Sequence, residues 1–212
     1  MKTLNTTKSV DGYFGKLKTI LFHPKKFSDQ ITNETGWLTA FEFVYRLIFL
    51  SAGIGIVLDL IFRHSEANLY YSLIDSIKTI AINFSSELLF MPVIYFAIKI
   101  FGGKGRISDV ARVAFYSMTP TLVLTGFFVI LHTQNTSWIL AISLINFIAN
   151  IYGLYVWFMW SEKVNQISIL KLFGAIILST IVVSIIASIF FGITAMVIMV
   201  SGIDPTTLFS LF

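Results

Sequence analysis

Cysteine is absent from the sequence, which excludes disulfides, thiolate metal sites and thiol nucleophiles. Charge is scarce too: 12% of the 212 residues are Asp, Glu, Lys or Arg, against roughly 25% in an ordinary soluble domain. A water-exposed fold of this size would have too few polar residues to cover itself. Only four prolines interrupt the chain, so long helices are free to run. The signatures of soluble enzymes are missing as well: there is no GxSxG, HExxH or GxxxxGK[ST]. The GGKG stretch, Gly102 to Gly105, lacks the spacing and the following Ser or Thr of a phosphate loop and reads as a flexible connection. His23, His64 and His132 are spread too widely to share a metal. No catalytic residue, metal or cofactor is expected, and no nucleic-acid partner.

What the sequence has in abundance is apolar residues, 56% of the chain, arranged in blocks of membrane-spanning length. The pattern predicts an all-α, polytopic helical membrane protein with five transmembrane helices preceded by a cytoplasmic amphipathic segment. The expected spans are Leu38–Phe62, Ile77–Phe101, Val110–Leu131, Trp138–Trp160 and Leu170–Val200. The organisation is then a basic N-terminal segment (1–36), the five-span domain (37–203) and a short non-cytoplasmic tail (204–212).

Lysine and arginine give the orientation, because positive loops stay on the cytoplasmic side. Lys2, Lys8, Lys16, Lys18, Lys25 and Lys26 precede the first span, Lys99, Lys104, Arg106 and Arg112 surround the second connection, and Lys163 and Lys171 surround the fourth. The opposite face holds only Arg63 and Lys78. The N-terminus is therefore expected in the cytoplasm and the C-terminus outside it. Trp37, Trp138, Trp157 and Trp160 fall near span ends, as interfacial aromatics do.

Ahead of the first span, Tyr13, Leu17, Ile20 and Leu21 share one helical face flanked by Lys16 and Lys18. Pro24 ends that helix and suits the first turn of another, which carries Phe27 and Ile31 on its apolar side. The segment is expected to lie on the cytoplasmic leaflet with Lys16, Lys18, Lys25 and Lys26 at lipid headgroups. A solvated basic tail that only fixes topology is the alternative.

A charge at membrane depth is costly unless paired or wetted, so each is a candidate. Glu42 and Arg46 stand four apart in the order that favours an intrahelical pair, and Asp59 and Arg63 repeat the spacing. Glu87 lies about halfway along the second span with Asn83 one turn before it; its expected partners are Asn146 and Asn150, or Arg112 and Tyr116. Such a cluster serves either as interhelical glue or as a polar cavity. In the last span Ser184, Ser188 and Gly192 form a small-residue stripe, suited to packing within the chain or against another membrane protein or a second copy.

Two stretches carry a family likeness: LFHPKKFSDQI ahead of the first span and GGKGRISDVARVAFYSMTP leading into the third. With a short charged loop, SEKVNQIS, before the last span, the order resembles the Ypt/Rab-interacting (YIP) family. The family-like residues are Gly102, Gly103, Tyr116, Ser117 and Pro120. The resemblance implies a five-span protein of internal membranes whose relatives bind prenylated small GTPases in vesicle traffic. The N-terminal region is shorter than in eukaryotic members and their Asp-Leu-Tyr-Gly-Pro element is absent, so a GTPase partner rests on resemblance alone. A chain of this sort looks more like a prokaryotic relative in the cytoplasmic membrane; a eukaryotic member would sit in Golgi or endoplasmic reticulum. The expected function is a non-enzymatic scaffold or adaptor acting through lipids and membrane proteins, with a small transporter or channel around Glu87 as the alternative.

Overall fold

In the computed structural model residues 12–62, 88–128 and 136–201 are described. Every regular element among them is an α-helix, as the composition demands. The helices are α1 (Tyr13–Phe22), α2 (Pro24–Asn33), α3 (Leu38–Phe62), α4 (Leu88–Ile100), α5 (Ile107–Ser117), α6 (Thr119–Phe128), α7 (Thr136–Asn165) and α8 (Ile169–Ser201). Two stretches, Ser143–Asn165 and Ile169–Thr194, are long and apolar enough to cross a membrane.

The predicted first, fourth and fifth segments appear as α3, α7 and α8. Of the predicted second, only the α4 half is described. The predicted third differs: it is two helices, α5 and α6, parted at Met118. Pro120 is the physical reason, since it has no N–H to donate and its ring crowds the carbonyl one turn back. The interrupted ladder ends in a tighter bond from the Met118 N–H to the Phe115 carbonyl, 3.2 Å. At the same level α7 carries Gly153, where a Cβ would come within 3.0 Å of the Ser117 carbonyl oxygen. The break and the glycine let α7 approach α5 and α6 closely.

Gly102 and Gly103 end α4. Gly102 adopts φ +89°, its N–H donates to Lys99 O at 3.0 Å, and that of Gly103 donates to Ile98 O at 2.8 Å. This is a Schellman cap, which demands a residue free to enter left-handed space. The GGKG stretch is thus an ordered connection, with the Lys104 N–H held by the Asn165 carbonyl at 2.8 Å.

The principal core joins α1 and α2 to the bundle. Ile20, Phe27 and Ile31 are fully buried with Val44, Val113, Phe115, Tyr116 and Trp160. A second cluster around Ile98, Val110 and Leu172 ties α4, α5 and α8 together. Packing is continuous across the boundary at residue 36, because the apolar faces of α1 and α2 meet protein. On α8, Ser184, Ser188 and Gly192 stand exposed.

Candidate functional site

Among the described residues, the densest polar cluster lies where α1, the α2–α3 link and α5 meet. Glu34 follows the last residue of α2, and Gly36, with φ +77°, turns the chain toward α3. The Glu34 carboxylate takes a 2.6 Å contact from the Lys16 ammonium on one oxygen and a 2.9 Å hydrogen bond from the Tyr116 hydroxyl on the other. Lys16 also donates to the Tyr116 hydroxyl oxygen. Its ammonium stands 4.5 Å from the Tyr116 ring centroid and 5.8 Å from those of Phe27 and Phe43. Three rings and one carboxylate therefore enclose it, an arrangement in which cation–π and ionic attraction reinforce each other.

Arg112 completes the cluster. Its guanidinium, 3% exposed, donates to the Glu34 and Gly36 carbonyls and, at 2.7 Å, to Asp109. Asp109 in turn accepts the Arg106 N–H at 2.7 Å and sits in the first turn of α5, where an anion is favoured. Two further links hold α2 against α7: the Trp160 indole N–H donates to the Pro24 carbonyl at 2.9 Å, and Lys163 reaches Asp29.

Lys16 departs from expectation. It was expected at lipid headgroups, but its side chain is only 19% exposed and turned inward, where the Glu34 carboxylate and three rings surround its ammonium. Lys18, Lys25 and Lys26 remain exposed. Arg112 and Tyr116 meet Glu34; Asn83 and Glu87, with which they were expected to cluster, lie outside the described residues. Glu42 and Arg46 form the expected pair at 2.5 Å on the outer face of α3, both more than half exposed. Asp59 is on α3 and Arg63 lies outside the described residues. On α7 the Asn150 amide donates to the Asn146 carbonyl at 2.8 Å, and its oxygen accepts from Thr121 at 3.4 Å. This group is separate from the Lys16 cluster.

Glu34 was missed by sequence reasoning because it lies in a polar link between helices. The one signal available was charge: it stands among the lysines of a basic segment, where an acid is positioned to find a cation. No group of three or more His, Asp or Glu residues poised for a metal occurs among the described residues. The cluster's charges are matched to one another, Lys16 with Glu34 and Arg112 with Asp109. The arrangement can bind helices together; it presents no nucleophile paired with a free base.

A family model described as Yip1 domain matches residues 18–192. The match takes in Gly102, Gly103, Tyr116, Ser117 and Pro120 and bears out the resemblance carried by those residues. No curated protein and no solved structure gives a match.

Proposed function

The chain belongs to the Yip1 domain family, and from that premise we propose that this membrane-associated protein is a non-enzymatic scaffold, spanning the bilayer five times with its N-terminus in the cytoplasm. The observation that carries the reading is the use made of the family-like residues. Gly102 and Gly103 cap a helix, Tyr116 joins Lys16 and Glu34, the Ser117 carbonyl faces Gly153, and Pro120 breaks the helix. Each builds a platform and none is left as a reactive group.

On this reading the basic ends gather in the cytoplasm. Lys104 on one connection meets Asn165 at the end of α7, and Lys163 meets Asp29. The exposed stripe of Ser184, Ser188 and Gly192 on α8 is the surface for a partner helix. The Ser188 hydroxyl already donates to the Ser184 carbonyl at 2.8 Å, so it is met within its own helix while the stripe offers close backbone approach. Family relationship adds a prenylated small GTPase as a candidate partner.

The test has two arms. Photocrosslinkers at Ser184 and Gly192 in the native membrane are expected to yield discrete adducts, whereas a crosslinker at Phe191 yields lipid. Purified protein in liposomes under proton and ion gradients is expected to show no flux above empty vesicles. Robust flux that vanishes in a folded Glu87→Gln protein would overturn the scaffold reading.

A further inference from the structure

The inward turn of Lys16 leaves α1 with a second, unused face. Phe14, Lys18 and Phe22 recur every four residues on its outer side, and the two rings are 71% and 70% exposed. Lys25 and Lys26 continue the exposed basic surface into α2. The acids nearby are already engaged, Asp29 by Lys163 and Glu34 by Lys16. Lys18, Lys25 and Lys26 have no ion-pair partner among the described residues.

The height of α1 along the bundle says what this face meets. The Tyr13 hydroxyl donates to the Phe43 carbonyl at 3.3 Å, and the Tyr152 hydroxyl donates to the Leu21 carbonyl at 2.7 Å. These bonds pin both ends of α1 at the level of Phe43 on α3 and Tyr152 on α7. From Phe43 to the end of α3 at Phe62 is about 29 Å, and from Tyr152 to the start of α7 at Thr136 about 24 Å, at 1.5 Å per residue. What remains beyond α1 on both helices is close to the roughly 30 Å of a hydrocarbon core. Below it, α7 runs a further 20 Å or so to Asn165, past Trp160 and Lys163.

We infer that α1 is an interfacial helix lying at the boundary of the cytoplasmic leaflet, with Phe14 and Phe22 inserted among the lipids and Lys18, Lys25 and Lys26 on anionic headgroups. The inference rests on the membrane-spanning reading above and assigns the lipid surface to a different face of α1 from the one the periodicity suggests. Interleaved lysine and aromatic residues on an amphipathic helix are the composition that binds anionic leaflets. The occupant is the membrane that holds the chain itself.

The absence of native cysteine makes the test direct. Single-cysteine variants of the full chain at Phe14, Phe22, Thr32 and Phe190 carry a bimane label in nanodiscs containing either brominated phosphatidylglycerol or brominated phosphatidylcholine. Labels at 14 and 22 are expected to be quenched at least threefold more by phosphatidylglycerol than by phosphatidylcholine, and the label at 32 hardly at all. Lys18→Gln, Lys25→Gln and Lys26→Gln together are expected to erase the lipid preference. Absent quenching at 14 and 22 with strong quenching at 190 would overturn the inference while the chain stays embedded. Absent quenching at 190 as well would overturn the spanning reading. Quenching at 14 and 22 with no preference for the anionic lipid would remove the headgroup contacts from the inference.

Discussion

Replacing Lys16 by Met tests what holds α1 in place. Methionine keeps the length and apolar stem but removes the ammonium from between Glu34 and the rings of Phe27, Phe43 and Tyr116. The pair is mostly buried, with side chains 19% and 23% exposed, so the Glu34 carboxylate is left beside Tyr116 without its cation. Removing one partner of such a pair costs about 3 kcal/mol, or about 100-fold in an opening equilibrium. Ile20 is fully buried on the same helix, so Ile20→Cys reports each opening through its rate of maleimide labelling in detergent or nanodiscs. Within that background Lys16→Met should raise the labelling rate about 100-fold, in proportion to the open population. Adding Glu34→Gln removes the stranded charge and should bring the rate part of the way back. A rate within threefold of the parent would refute the reasoning, because α1 would then be held by its apolar face alone.

Gly105→Ala drives a Cβ into Asn165 Oδ1 and places it 3.2 Å from the Asn165 Cα, and overpacking of that kind should cost about 2 kcal/mol. A clear drop in melting temperature is expected in a tryptophan-fluorescence melt, while Gly192→Ala, with nothing within 4 Å, should melt with the parent. Arg112→Lys keeps the charge but loses the fork that reaches Glu34, Gly36 and Asp109 at once. Leaving these part-buried acceptors unmet should cost about 1 kcal/mol, read as faster protease cleavage of the link around Glu34; unchanged cleavage would show that the fork is dispensable.

Helical content and most helix limits were legible because a single strong signal, the long apolar run, decides them. The first expected segment ends where α3 ends, and the last falls within α8. The third shows the limit of that signal. Hydropathy sees one run from Val110 to Leu131, yet Pro120 splits the helix, and a mean over a window cannot register one missing N–H. The same averaging hid the face of α1. Tyr13, Leu17 and Ile20 were correctly grouped on one side, but an apolar face fits lipid and protein alike. What decides is the partner: Phe27, Phe43 and Trp160 arrive from three other helices to cover it.

The Lys16 cluster was illegible for a related reason. Its members are Lys16, Glu34, Arg112 and Tyr116, from three places in the chain, and no local rule pairs residues 100 positions apart. Arg112 and Tyr116 were visible as polar residues one turn apart in an apolar stretch, but a helix face does not name its neighbour. Once Pro24 and Gly36 have turned α2 back along the bundle, Glu34 is carried to the start of α3, within reach of α5. The two turn residues thus do more for the site than the charges. They determine which charges meet, and the charges then hold the N-terminal helices against the bundle with Phe14 and Phe22 turned outward and exposed.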